Sequence, residues 1–276
     1  MKKISILLLL SFVIFSCKKS DTTPTTSSSS DYNPGPGWNL AWSDEFDSTA
    51  LNTSIWNYET GTGQNQELEY YLSQNVSVSN GNLVITALQQ NYNGANFTSG
   101  KINTQNKYAF KYGKIVGKIK LPQGLGMWPA FWMLGNSSLA WPGCGEIDIM
   151  EMQGGQGAGG DYTTLSTCHW LGTYAPAPDT LYGQQYTNVS KLSQAYHYYE
   201  VEWNASTITS RFDGIQYNQI NITKAEMAPF RNNSFYIILN LAVGGNFFSP
   251  ALLTQASVTA TFPQSMYVDW VRVYVN

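Results

Sequence analysis

The sequence predicts an all-β protein, a single sandwich of roughly a dozen or more short strands. Short alternating or apolar runs recur from Trp38 to Asn276, as half-buried strands require. Clusters of Gly, Asn, Pro and Ser separate these runs and are typical of turns. Long segments with a 3.6-residue period are nearly absent. Two packed antiparallel sheets are the simplest arrangement for such elements.

The strand prediction depends on alternation within particular runs. The clearest runs span residues 82–88, 114–121, 197–203, 207–213, 235–243 and 266–275. Asp213-Gly214 lies between two of them and predicts a tight hairpin turn. Only residues 222–227 indicate a helical turn. No repeat, composition break or second linker interrupts residues 38–276, which are therefore predicted to form one domain.

The composition excludes some partners. Charged residues make up 12% of the chain and the formal net charge is −3, so the basic clusters that nucleic acids require are missing. Aromatic residues reach 14%, with 9 Trp and 18 Tyr. Such residues suit a large β core or stacking against the apolar faces of sugar rings, and composition does not separate the two.

The N-terminal region predicts export. Met1-Lys2-Lys3 is basic, and the apolar run 4–15 is too short to span a membrane as a mature helix. The run ends in Ile14-Phe15-Ser16-Cys17, which resembles a bacterial lipoprotein signal cut before the cysteine. We expect a signal peptide at residues 1–16, a lipidated Cys17 that anchors the protein to an outer membrane or cell surface, and a flexible Ser/Thr/Pro linker at 17–37. An ordinary secretory signal is the alternative.

Two further cysteines are predicted to be free thiols. Cys144 stands two residues before Glu146, so strand alternation points it to the acidic face. Cys168 precedes His169 and points to the core if His169 faces a cleft. A disulfide bond, which an exported chain would otherwise suggest, is therefore not expected.

The run from Gly145 to Glu151 carries the strongest chemical signal. Glu146 and Asp148 alternate with Ile147 and Ile149, so the two acids share one strand face. A β-bulge at Ile149–Met150 would bring Glu151 to the same face. Carboxylates held together raise one pKa and separate the titrations. A glycosidase needs such a pair, with one group ionised and the other protonated. A solvated acidic face is the alternative, although tryptophans and glycines around the run favour a site.

Several motifs occur in order along residues 38–276. They are Trp42-Ser43-Asp44-Glu45-Phe46, Gln66-Glu67-Leu68-Glu69-Tyr70-Tyr71, Lys120-Leu121-Pro122, Gly126-Met127-Trp128-Pro129-Ala130-Phe131-Trp132-Met133-Leu134, the acidic run, Cys168-His169-Trp170, Asn240-Leu241-Ala242-Val243-Gly244-Gly245 and Val268-Asp269-Trp270-Val271-Arg272-Val273-Tyr274. Together they resemble glycoside hydrolase family 16, the laminarinase-like β-glucanases.

The resemblance implies a β-jelly-roll with a substrate groove across its concave sheet. It also implies retaining hydrolysis, with Glu146 as the nucleophile, Glu151 as the general acid/base and Asp148 as a tuning residue. No cofactor is expected for this catalysis. The bulged spacing E-x-D-x-x-E resembles laminarinases and galactan-cleaving members rather than lichenase-type members.

The resemblance also assigns supporting residues. Trp128 and Trp132 would stack on sugars in the groove, His169 would lie in the cleft near Glu151, and Asn65 would bind sugar hydroxyls. The alternatives are core tryptophans and a structural histidine. A structural calcium site would use Glu45, Gly81 and Asp269, since calcium prefers oxygen ligands; exposed carboxylates at strand ends are the alternative.

Two positions depart from the family pattern. Lys101 follows Ser99-Gly100 where an Arg is common, and Phe247 lies near the place of a frequent Trp. The expected activity is that of a monomeric endo-β-1,3-glucanase acting on a laminarin-type polysaccharide. A hydrolase or transglycosylase acting on mixed-linkage β-glucan or a β-galactan is the alternative, followed by a non-catalytic glycan-binding lipoprotein.

Overall fold

The computed structural model describes residues 32–172 and 179–276, and the fold below is that of the compact unit Pro36–Asn276. The predicted signal peptide, Cys17 and most of the predicted linker lie outside the described residues and stay predictions. Among the described residues, no helix combines the length and the apolar character needed to cross a membrane.

Eight strands form one antiparallel sheet, called here the back sheet. Its strands are β1 (Asn39–Asp44), β5 (Val76–Ser79), β6 (Asn82–Ala87), β9 (Gly113–Lys120), β14 (His197–Trp203), β15 (Thr207–Phe212), β16 (Ile215–Asn221) and β18 (Gln264–Val275). Their order across the sheet is β16-β15-β14-β9-β18-β6-β5, and β1 also pairs with β18. The predicted hairpin turn at Asp213-Gly214 is confirmed between β15 and β16, where both residues have positive φ angles.

Seven strands form a second antiparallel sheet, called here the groove sheet. Its strands are β2 (Asn57–Tyr58), β8 (Lys101–Asn103), β10 (Met127–Gly135), β11 (Glu146–Glu151), β12 (Thr163–Leu171), β13 (Asp179–Thr187) and β17 (Phe235–Val243). Their order is β13-β12-β11-β10-β17-β8-β2, which places the acidic strand β11 near the middle of the sheet.

The remaining elements are short. A three-stranded sheet contains β3 (Gly61–Thr62), β4 (Glu69–Tyr71) and β7 (Phe97–Ser99). One short helix, α1, spans Pro229–Asn232. Single 3₁₀ turns span Ser73–Asn75, Gly160–Tyr162, Ala225–Met227 and Gln255–Ser257. The turn at Ala225–Met227 confirms the helical turn predicted within residues 222–227, and the all-β prediction is confirmed.

The core lies between the two large sheets. Ile147 and Ile149 point into it and are almost completely buried, so the apolar half of the acidic strand anchors β11. Each such side chain contributes about 1.5–3 kcal/mol to the free energy of folding. At one position the sheets approach closely: a Cβ on Gly117 of the back sheet would lie 2.8 Å from the ring of Phe131 in the groove sheet. Gly117 therefore makes room for Phe131.

Candidate active site

A β-bulge brings three carboxylates to one face of β11. The β10 residues that pair with Asp148 and Met150 are neighbours in sequence, so Ile149 is the extra residue. The pairing of β11 with β12 shifts at the same place. Glu146, Asp148 and Glu151 consequently all line one groove. The bulge predicted from the spacing is confirmed.

Glu151 is poised as a proton donor. Its side chain is buried, and its Oε1 accepts a hydrogen bond of 2.8 Å from Nε1 of Trp128. Burial, and then the neighbouring Asp148, raise the pKa of Glu151 to about 8, although the Trp128 hydrogen bond opposes this shift. The carboxyl group is therefore mainly protonated at neutral pH, as a general acid must be.

Glu146 accepts one hydrogen bond and lies near one cationic ring. Its Oε2 accepts a hydrogen bond of 3.0 Å from Nε1 of Trp141, and its Oε1 lies 3.9 Å from Nε2 of His169. Burial, and then the charge of Asp148, raise the pKa of Glu146 well above its ordinary value, and His169 and Trp141 offset part of this shift. Both groups favour the ionised carboxylate, which is the form that can act as a nucleophile.

His169 connects Asp148 to Asp179. Its Nε2 lies 3.4 Å from Oδ2 of Asp148, and its Nδ1 lies 3.1 Å from both carboxylate oxygens of Asp179. Burial lowers the pKa of His169, but contact with Asp148 outweighs burial and raises it to about 10. Burial likewise raises the pKa of Asp148, and His169 opposes that shift. The ring is therefore an imidazolium that compensates the buried acids.

The position of His169 corrects one expectation. The resemblance placed it near Glu151, but the register of β11 against β12 pairs His169 with Glu146. Its charged contacts are accordingly with Glu146 and Asp148. The resemblance alone placed His169 in the cleft, and its position along β11 depends on the register between the two strands.

The same three residues could in principle bind a metal ion. One donor atom each from Glu146, Asp148 and His169 lie within 4.8 Å of one another. A metal ion would have to displace the proton of His169, because a protonated imidazole has no free lone pair to donate. With a pKa of about 10, the ring holds that proton at neutral pH. The arrangement fits proton chemistry better than metal binding.

The acids lie in a groove with a volume of about 450 Å³. Residues from strands β8, β10, β11 and β17 and from the segment 59–67 line it. A sequence profile of the family described as "Glycosyl hydrolases family 16" matches residues 52–272. The chain belongs to glycosyl hydrolase family 16.

Comparisons with individual proteins agree with this family assignment. The chain is 37% identical over 247 residues to the clotting factor G alpha subunit of Tachypleus tridentatus, covering 87% of the chain and 34% of that protein. It is 36% identical over 266 residues to the glucan endo-1,3-beta-glucosidase A1 of Niallia circulans, covering 86% of the chain and 38% of that protein. The chain thus spans about a third of the length of these relatives.

One solved structure matches the chain over nearly the whole length of the solved domain. The laminarinase catalytic domain of Thermotoga maritima MSB8 superposes with a TM-score of 0.75 at 37% sequence identity. The match covers 87% of this chain and 98% of that domain. The described fold is therefore that of a family 16 domain, and the jelly-roll prediction is confirmed.

The groove residues expected from family 16 occupy different environments. Trp132 is half-buried in the groove, and its Nε1 donates to Oδ1 of Asn240 at 2.8 Å. Trp128 is 8% exposed and stacks on Phe247 at 4.4 Å between ring centroids. Asn65 is exposed at the groove, and its amide is 3.4 Å from Oε1 of Glu67. Trp132 and Asn65 are accessible to a sugar, whereas Trp128 mainly supports Glu151.

Trp141 is a groove residue to which the family resemblance assigned no role. It is 51% exposed, lines the groove and donates to Glu146. The sequence indicated it only by its position five residues before Glu146, the first residue of β11. Tyr71 is a second such groove residue. Its hydroxyl donates a hydrogen bond to Glu67 and accepts one from Asn240, which in turn accepts one from Trp132.

The side chains proposed for calcium already have partners. Glu45 forms a two-pronged ion pair with Arg272, at 2.9 and 2.7 Å. Asp269 lies 2.7 Å from Nζ of Lys118. Gly81 occupies the turn between β5 and β6 with a φ angle of 70°. Each carboxylate is thus paired with a cation, and the calcium ion stays a prediction from the resemblance.

The two cysteines are free, as expected, and both are buried, although Cys144 was expected on the acidic face. Burial raises the pKa of both thiols, and Glu146 adds to the shift at Cys144. Thiols with raised pKa values are unreactive at neutral pH. Neither therefore takes part in the chemistry of the groove.

Proposed function

We propose that the protein is a retaining endo-hydrolase of β-1,3-glucan, of the laminarin type. The observation that carries the proposal is the pair of glutamates on one bulged strand, one protonated beside Trp128 and one held by Trp141 and His169. The similarity to a laminarinase catalytic domain over 98% of its length supports the substrate class. The bulged spacing is the second support, since it differs from the lichenase-type motif.

The geometry fits a double displacement. Glu151 gives its proton to the glycosidic oxygen while the Glu146 carboxylate attacks the anomeric carbon, so the C–O bond breaks and a glycosyl ester forms. Glu151, now a carboxylate, then removes a proton from water, whose oxygen attacks the same carbon and releases Glu146. The N–H of Trp141 and the imidazolium of His169 stabilise the departing carboxylate. No step requires a cofactor.

The extent of the groove supports binding of several sugar units. Its lining runs from the segment 59–67 across β17 and β10 to the acids on β11. Trp132 and Trp141 offer ring faces in the groove, and such faces bury the apolar side of a sugar at low entropic cost.

Product analysis on a small panel of polysaccharides tests the proposal. Laminarin and curdlan should release oligosaccharides of several lengths, with slower release from mixed-linkage glucan and from β-galactans. Early NMR spectra should show the β-anomer at the new reducing ends, as retention requires. Glu146→Ala should lose about 10³-fold or more in kcat. If the parent binds the polysaccharide but is no more active than Glu146→Ala, the result would instead favour a glycan-binding lipoprotein.

We also propose that the protein is exported and anchored through a lipid on Cys17, and acts as a monomer. The basic start, the apolar run and the Ser/Thr/Pro linker of residues 17–37 support this placement. Mass spectrometry of the mature N-terminus tests it. A diacylated Cys17 is expected, and a Cys17→Ala variant should leave the membrane fraction. A mature protein that begins at another residue and carries no lipid would support an ordinary secretory signal.

A further inference from the structure

The charges along the groove are unbalanced. Five carboxylates line it, from Glu59, Glu67, Glu146, Asp148 and Glu151. Among the described residues that line the groove, Lys101 is the one cation. The charged groups that a polysaccharide would meet in this groove are therefore mainly acidic.

Lys101 does not offer a free positive charge. Its Nζ lies 3.1 Å from Oε2 of Glu59, and its side chain is 17% exposed. The ammonium group also lies 5.3 Å from the centre of the Trp132 ring. Glu59 in turn accepts a 2.6 Å hydrogen bond from Asn103, which fixes the pair in place.

The arginines of the chain lie elsewhere. Arg211 pairs with Glu200 on the back sheet, and Arg272 pairs with Glu45. Arg231 donates to the carbonyl oxygen of Lys224. Recognition of sulfate or carboxylate commonly uses a two-pronged arginine, and the described groove lining contains none.

Protonation reduces the negative charge without removing it. Glu151 is mainly neutral at pH 7, and the imidazolium of His169 compensates Asp148. The Lys101–Glu59 pair is neutral as a unit. Glu67 and Glu146 also line the space that a sugar chain would fill, so acidic side chains outnumber Lys101 there.

We infer that this groove accepts uncharged β-glucan chains and rejects polysaccharides that carry sulfate or carboxylate substituents. The inference rests on the proposed function and narrows its substrate class. An anionic substituent would enter a groove that five acidic side chains line, and Lys101, the one cation among the described lining residues, is already paired with Glu59. Repulsion of this kind discriminates against wrong partners, and it weakens as salt screens the charges.

Two curdlan derivatives of equal chain length and degree of substitution test the inference. Carboxymethyl-curdlan carries charge, whereas hydroxyethyl-curdlan has a neutral substituent of similar size. At low ionic strength, kcat/KM for the charged polymer should be about tenfold lower or more. At about 0.5 M salt the difference should narrow severalfold, because the Debye length becomes short. Equal rates at low salt, or a difference that salt does not change, would overturn the inference.

A matched pair of variants locates the effect. Glu59→Gln removes the partner charge of Lys101, so cleavage of carboxymethyl-curdlan relative to hydroxyethyl-curdlan should rise about threefold or more. Asp47→Asn removes the same charge at an exposed position outside the groove lining and should leave the ratio unchanged. A similar change in both variants would assign the discrimination to the net charge of the protein and contradict the inference.

A binding assay distinguishes a failure of this inference from a failure of the proposed function. Glu151→Gln keeps the groove charge at pH 7, since Glu151 is mainly protonated there. In affinity gels, this variant should be retarded by hydroxyethyl-curdlan and not by carboxymethyl-curdlan. No hydrolysis by the parent on any polymer would reject the proposed hydrolase. Equal retardation by both polymers would reject the electrostatic selection.

Discussion

Removing one hydrogen-bond donor should shift the pH range in which the protein is active. The Trp128 indole N–H donates to Oε1 of the buried Glu151 at 2.8 Å, and its ring stacks on Phe247. Trp128→Phe keeps a ring for the stack and removes the donor. A hydrogen bond to a charged group is worth about 1.5–3 kcal/mol, and about 1.4 kcal/mol corresponds to one pKa unit. The pKa of Glu151 should therefore rise about one to two units above its value of about 8.

The measurement is the pH dependence of kcat/KM on laminarin, which reports the ionisation of the free enzyme. Activity requires protonated Glu151, so the alkaline limb of the profile should move to higher pH by the same amount. Trp132→Phe is the matched control, because its indole donates to Asn240 instead. An alkaline limb that stays in place or moves to lower pH in Trp128→Phe would refute the assignment of Glu151 as the acid.

Three further outcomes follow from the same contacts. Asp179→Asn should lower the pKa of His169 by about one unit from its value near 10, since it removes one of the charges that raise it; NMR titration can follow the ring, with His197 as reference. The Glu151 carboxyl group binds a proton in the folded protein that the unfolded chain releases, so its contribution to stability is full below about pH 4.5 and is lost as the pH rises to about 8. Between these values the parent should lose free energy of unfolding relative to Glu151→Gln, by up to about 1.4 kcal/mol per pH unit. Urea denaturation of both proteins at several pH values would measure this difference. Phe131→Ala should lower the free energy of unfolding by about 3–5 kcal/mol in the same assay, because the side chain is completely buried between the sheets.

Local sequence patterns predicted the elements that depend on neighbours in the chain. Alternation placed strands at residues 197–203 and 235–243, which β14 and β17 occupy in full. The pair Asp213-Gly214 predicted its hairpin because both positions require positive φ angles. The bulge at Ile149 followed from the spacing of the acids alone. These features are determined within a few residues, so a single sequence is sufficient.

Contacts between distant strands were not predictable in the same way. The pair Lys101–Glu59 joins residues on different segments, and Asp179 reaches His169 only through the register of β12 against β13. A shift of that register by one residue would turn the side chain away. The exposed Trp141 shows the same limit, since a tryptophan outside the strand runs gives no periodic signal of its orientation.

The bulge at Ile149 makes the length of β11 as important as its composition. Glu146 and Glu151 are five positions apart, so they share a face only because of the bulge. Deleting Ile149 would remove the extra residue, and regular alternation would then keep Met150 on the core side and Glu151 on the groove side, opposite Ala130 as before. A scan of single substitutions would not reveal this dependence, because each substitution leaves the residue count intact. Single-residue deletions along 146–151 would therefore be the informative library. We expect deletion of Ile149 or Met150 to keep Glu146 and Glu151 on one face, and activity to be lost when a deletion removes either glutamate, while substitutions of Ile149 by other apolar residues are tolerated.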